Sequence, residues 1–256
     1  MTKDDYDLIK VDEWNCPEGT GVPILVMPNI PRALHGKGLQ PRTVYGKTTW
    51  DFMRKRAYYN ANYKCEICGC EPERGKLHSH ELFSYDYRKQ EGVFERCVAI
   101  CADCHNFIHS GRLLSMFNRG NPLYPKSYIL KVAEHGLKLV YEYNKEHPDD
   151  EKRVYDTWLN YLRNTEIKDE MIKLFEKYET KFYTDNTPSK LRWKGWHVII
   201  GNKRINSPYK KQSDWEQAML QMAIQDNIRQ AEEAPFKGKV FDDIDKILSI
   251  ENEDQD

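Results

Sequence analysis

The sequence predicts an α+β fold, and three observations carry that reading. Two C-x-x-C pairs, Cys65/Cys68 and Cys101/Cys104, bracket 32 residues (69–100) of short, hairpin-like pattern that ends in a helix. Three helical patterns follow. A second hairpin pattern and a capped helix then close the patterned part of the chain.

At 256 residues the chain can bury one substantial core with appendages or two small ones, and its punctuation favours two. Charged residues at 31% and apolar ones at 39% fit a globular protein in water. The longest apolar run, near Val198 to Ile200, is too short to cross a bilayer, and MTKDDYDLIK lacks the basic start and apolar stretch of a secretory signal. These features predict no membrane partner and a cytoplasmic location.

Residues 1–47 read as an extended basic arm, because prolines at 23, 28, 31 and 41 and glycines at 36 and 38 interrupt any long helix. Residues 48–122 form the cysteine- and histidine-bearing domain. Thr48 or Thr49 can cap its first helix, over Trp50 to Tyr63, with Trp50, Met53, Ala57 and Tyr58 on one side. Cys65 to about Ser110 then reads as a hairpin closed by a helix that begins near Ala102 or Asp103. After a turn at Gly120-Asn121-Pro122, a helical region (123–184) holds patterns at Ser127 to Glu146, Glu151 to Arg163 and Glu166 to Phe182. In the last of these Ile167, Met171, Leu174, Phe175, Tyr178 and Phe182 recur at helical spacing.

Residues 185–236 read as a separate small strand-strand-helix module. LRWKGWHVII, Gly201-Asn202 and KRIN make the hairpin, Ser213 to Glu216 make a capping box, and Trp193, Trp196 and Trp215 are the expected packing centre. The last residues, 237–256, form an acidic tail expected to be disordered.

Charge is unevenly spread beneath a net of −1. From Arg32 to Lys64 there are eight Lys or Arg against one acid, Asp51, and from Lys190 to Lys211 seven against none. Nine acids face three lysines from Ala231 to Asp256. Basic stretches interleaved with Trp and Tyr suit a phosphate backbone, through counterion release and stacking on bases. The alternative is that they are solvated faces.

Of seven cysteines, Cys16, Cys70 and Cys97 fall outside the two pairs. Two C-x-x-C knuckles offer four sulfurs to one tetrahedral ion, and in a reducing compartment that pattern points to structural zinc rather than disulfides. The ion would supply folding energy that so short an irregular segment lacks. His105 and His109 are separated by one helical turn, so both can ligate a second metal from one helix face. The stretch LHSHE at 77–81 offers further ligands.

The combination C-x-x-C-G, L-x-x-H and C-x-x-C-H-x-x-x-H resembles the zinc-bearing HNH endonucleases, over roughly Trp50 to Gly111. The resemblance implies a zinc-stapled ββα-metal finger. It implies a catalytic divalent ion, such as Mg²⁺, Mn²⁺, Ni²⁺ or Zn²⁺, on His105 and His109, with His80 completing the ligands. It also implies a general base on the hairpin, with DNA as the substrate and RNA left open. The chain departs from the family pattern twice. Glu81 falls where the base histidine belongs, so His80, His78 and Glu81 remain alternatives for base and ligand. Arg96 stands where the family has the asparagine that orients the base, and it could contact phosphate instead. Arg112, Arg119 and Lys126 are further phosphate candidates. The competing readings are a catalytically weakened finger that binds nucleic acid or protein, and a structural zinc unit whose helical region or acidic tail engages a protein partner.

Overall fold

In a computed structural model, which describes residues 21–27, 30–35, 38–73, 75–162, 166–183, 193 and 195–233, the N-terminal segment is less extended than its prolines predict. It forms a short helix, α1 (Gly21–Leu25), and a 3-10 turn at Arg32–Leu34 whose Ala33 and Leu34 are buried. The next helix, α2 (Pro41–Asn60), starts before the predicted Thr48 because Pro41 can occupy its first turn. It kinks at Gly46 (φ 78°, ψ 170°), and its Trp50, Met53 and Ala57 are buried.

The alternation in HSHELFSYD builds β1 (His78–Asp86), paired antiparallel with β2 (Glu91–Ile100). Asp86 sets the turn by accepting from the Arg88 and Lys89 amides at 2.9 and 3.0 Å. A bulge after Leu82 matches Leu82 with Arg96 and Phe83 with Phe94, leaving Glu95 unmatched. On the ligand-bearing side of that bulge His78, His80, Val98 and Ile100 share one face. Glu81 and Cys97 share the other.

The chain then enters α3 (Ala102–Ile108), breaks at His109 (φ −92°, ψ 39°) and resumes as α4 (Ser110–Asn118). The long α5 (Lys126–Glu146) follows as its pattern predicts. The helix predicted over Glu151 to Arg163 is not formed as such. Instead there is a two-residue strand, β3 (Val154–Tyr155), and a short helix, α6 (Thr157–Tyr161). The reason is a contact from α5: the Asn144 side chain clamps the Lys152 backbone at 2.6 and 2.9 Å, holding the chain extended before a β-branched valine. The third pattern forms α7 (Lys168–Lys177), stopped by Glu179 at φ 46°, before β4 (Phe182–Tyr183) pairs parallel with β3.

These helices share a core with the hairpin. Val98, Ile100, Phe107, Leu113, Ile129, Val132, Trp158, Ile167 and Met171 belong to one buried cluster. Gly136 permits the closest approach, since a Cβ there would lie 2.2 Å from the Phe107 ring. The helical region is therefore the wall against which α3 is held.

The second hairpin, β5 (His197–Ile200) and β6 (Lys203–Asn206), turns at Gly201 with φ 60°. It is placed differently from the expected separate module: β5 pairs parallel with β2, giving one sheet in the order β1-β2-β5-β6. Buried His197, 3.0 Å from Glu91, and Trp196 against Tyr87 hold this junction, while β5 covers an otherwise unpaired edge of β2. The chain divides into two units after Pro208, so Trp193 and Trp196 are buried in the first and Trp215 belongs to the second. The second unit contains α8 (Gln212–Glu233), where Asp214 rather than Ser213 accepts from a preceding amide, that of Lys210. The fold is α+β. Cys16 and the acidic tail 237–256 lie outside the described residues.

Candidate metal centres

The first centre is built by backbone turns. In the knuckle at residues 65–70 the Gly69 amide donates to Cys65 O at 2.8 Å and the Cys65 amide to Cys70 O at 2.9 Å, with Gly69 at φ 70°. The second pair begins α3: Cys101 is its N-cap, accepting from the Cys104 amide at 3.4 Å. The Sγ atoms of Cys65, Cys68, Cys101 and Cys104 all lie within 4.8 Å of one another, and Cys68 and Cys101 are 3.8 Å apart. Zinc–sulfur bonds in a tetrahedron set sulfurs about 3.8 Å apart, so the cluster fits zinc. Thiols donating from Cys101, Cys104 and Cys68 hold Cys65 well below the usual thiol range, whereas hydrogen bonds with Cys101, Cys65 and Cys68 push Cys104 well above it. Such a set shares its protons, and a divalent cation is what allows all four sulfurs to ionise.

Two residues brace this cluster. Glu66, inside the knuckle, accepts from the Ala99 amide and from Arg96 Nη1, each at 2.7 Å, while its own amide donates to Ala99 O at 2.9 Å. With side chains 18% and 6% exposed, Arg96 and Glu66 form a partly buried ion pair that fastens the knuckle to β2. The structure thus gives Arg96 an internal partner at the position considered for phosphate contact. His135 on α5 is the second brace, and sequence reasoning missed it. Its Nε2 lies 3.4 Å from Cys104 Sγ, and hydrogen bonding to Cys101 raises its pKa. A lone histidine in a helical pattern carries no signal of that contact.

The second centre lies on the His80 face of the hairpin. His80 from β1, His105 from α3 and His109 at the helix break place ligand atoms within 4.8 Å of one another. Their ring centroids are 4.7 Å (His105–His109), 5.1 Å (His80–His109) and 5.6 Å (His80–His105) apart. Burial, then repulsion from neighbouring cationic groups, lowers His80 to about 3, His105 to about 2 and His109 to about 4. The imidazoles are therefore neutral at pH 7, the form that ligates metal. His80 Nδ1 is buried with no hydrogen-bond partner among the described residues, a cost that ligation of this ring would help to repay. The donor set fits a divalent first-row ion.

His78 flanks this trio from outside. Its ring is 5.1 Å from that of His105, it is exposed at the start of β1, and partial burial followed by the charge of Arg112 lowers its pKa. Arg112, exposed on α4, acts electrostatically on His78, His105 and His109. Arg119 caps the same helix two turns further on and is also exposed. Lys126, by contrast, is bound to Glu170 at 2.6 Å.

Glu81 is not brought to the histidines. Strand alternation turns it to the opposite face beside Cys97, where burial raises its pKa against the opposing pull of its own amide and Arg42. Burial likewise pushes Cys97 up to about 12, against the opposing charge of Arg96, and Cys70 up to about 11. No known protein family, curated protein or solved structure matches the chain.

Proposed function

We propose that the protein is a metal-dependent endonuclease of the HNH type that hydrolyses phosphodiester bonds in DNA, with RNA as the variant substrate. One observation carries the reading: three neutral imidazoles converge on one point beside a fourth, exposed imidazole and an exposed arginine. The Cys65, Cys68, Cys101 and Cys104 cluster takes the structural role, with zinc as its ion. His80, His105 and His109 hold the working ion, and Mg²⁺, Mn²⁺, Ni²⁺ and Zn²⁺ are the candidates. When bound, that ion supplies Lewis acidity at the phosphate and at the leaving oxygen.

The rest of the chemistry belongs to side chains. His78, neutral near pH 7, takes a proton from water as the water oxygen bonds to phosphorus and the bond to the leaving sugar oxygen breaks. The leaving oxygen gains its proton from solvent. Arg112 faces the negative charge of the phosphate, and Arg119 extends that cationic edge along α4. Glu81 has no part in this scheme, because it points to the other face of the strand.

The second reading is a finger that binds nucleic acid or protein without cutting. It draws on the absence of Glu81 from the histidine cluster and on the engagement of Arg96 with Glu66. Incubating purified protein with supercoiled plasmid, single-stranded DNA and RNA, with each metal or with EDTA, separates the two. The proposal expects metal-dependent nicking that His109→Ala abolishes while one zinc stays bound. Salt-sensitive DNA binding with no cleavage under any metal would replace it with the binding reading. A reducing cytoplasm suits a cluster of free thiols, and among the described residues no helix is long and apolar enough to cross a membrane.

A further inference from the structure

A fifth sulfur stands at the first metal centre. Cys70 closes the turn that begins at Cys65: Gly69 at φ 70° reverses the chain, and the Cys65 amide donates to Cys70 O at 2.9 Å. Just outside the turn an exposed ion pair joins Lys64 to Glu71 at 2.9 Å, so both ends of the segment are tied together beside the cluster. The Cys70 thiol accepts a hydrogen bond from Cys68 and donates one to Cys101. Those two sulfurs are 3.8 Å apart and make one edge of the four-sulfur cluster. Cys70 stands over that edge with its backbone already fixed, so a turn of one side chain carries its sulfur into a ligand position. Cys97, the other described cysteine outside the two C-x-x-C pairs, lies buried on the Glu81 face of the hairpin.

Exposure rises in one direction through these sulfurs. Cys65, Cys101 and Cys104 are buried, Cys68 is half-buried and Cys70 is exposed. A metal site whose ligands are mostly buried needs an entry path, because an ion cannot pass through close-packed side chains. The side of the cluster that meets solvent is the one that Cys68 and Cys70 share.

We propose that Cys70 is a spare zinc ligand, which takes the place of Cys68 at the solvent side of the cluster and so provides the path by which zinc is loaded and exchanged. In the exchange the Cys70 sulfur gives its proton to the Cys68 sulfur and takes over its bond to the ion. Four thiolates and one thiol are present before and after, so no charge is stranded in the buried shell. Three sulfurs keep hold of the ion throughout. The proposal rests on the zinc reading of this cluster and is independent of the hydrolase reading, which concerns the histidines.

The test counts zinc per chain in the full-length protein carrying His109→Ala, so that the count reports the sulfur cluster. In that parent, Cys68→Ser is expected to keep one zinc and a cooperative melt, because Cys70 fills the vacated position. Adding Cys70→Ser to it should abolish both. Cys104→Ser should lose zinc although Cys70 is present, since Cys104 lies on the buried side. With Co²⁺ in place of zinc, the thiolate-to-metal absorption per bound ion should be the same in Cys68→Ser as in the parent, which marks four sulfur ligands. Cys70→Ser alone, at an exposed position, should keep its zinc and its melting temperature but pass zinc to a colorimetric chelator several times more slowly. Loss of zinc from Cys68→Ser would overturn the spare ligand, as would zinc retained by Cys68→Ser with Cys70→Ser. Parental transfer in Cys70→Ser would overturn the exchange path. A parent that binds no zinc would overturn the zinc reading itself, an outcome distinct from loss confined to the variants.

Discussion

The two clusters share one short helix, in which Cys104 and His105 are consecutive, yet they are built differently. At the start of α3 four sulfurs close around one point, three of the four cysteines are buried, and two turns plus the Glu66 ion pair hold them in place. At its end three imidazoles converge, and a fourth imidazole and an arginine stand exposed beside them. A closed shell suits an ion that holds a fold together; an incomplete shell suits one that must accept a substrate atom. The difference is made by ligand number and by which backbone each ligand rides on.

The sharpest way to break the comparison is to remove one ligand from each cluster. Cys104→Ser should cost most of the zinc contribution to folding, on the order of 10 kcal/mol, and abolish cooperative unfolding along with bound zinc. His109→Ala should melt cooperatively and retain one zinc per chain by metal analysis. If both variants lose the fold equally, the two clusters are one structural unit and the proposed division of labour fails.

Next in size is His78→Ala. Loss of the proposed proton acceptor should lower the cleavage rate by about 10²–10⁴ with metal content unchanged, and added imidazole should restore part of it. Equal loss of metal from this variant would instead make His78 a ligand. His135→Ala should leave cleavage intact but weaken zinc binding by about 10–100-fold, read as faster zinc transfer to a colorimetric chelator, because the thiolates lose a hydrogen-bond donor. His135→Gln, which keeps a donor, should recover part of that affinity. The smallest expected effect is that of Glu81→Gln, which should cut like the parent. A rate loss as large as that of His78→Ala would place the proton acceptor on Glu81.

Much of the first cluster was legible in the sequence, since two C-x-x-C spacings are local and each knuckle folds around its own backbone hydrogen bonds. The His105/His109 pair was legible for the same reason, being one turn apart. Less was legible on the hairpin, where His78, His80 and Glu81 differ only by alternation and the sequence left base and ligand open. The helix expected over Glu151 to Arg163 failed because a side chain from α5, Asn144, captured the Lys152 backbone, a contact eight residues distant that periodicity does not encode. The second hairpin was legible as a hairpin, but its pairing with β2 was not, because parallel partners carry no mark of each other in sequence.

The sequence by itself determined what rests on short spacing: the four sulfurs, the two helix histidines, the amphipathic helices and the concentration of positive charge before Lys64. Only the tertiary structure decided what depends on which face of an element is turned to which neighbour. It turned Glu81 away from the histidines, brought His135 to Cys104 and engaged Arg96 with Glu66. The physical reason is that ligand spacing along a turn is set by backbone geometry within a few residues, whereas the choice between the two faces of a strand is settled by burial across the whole core.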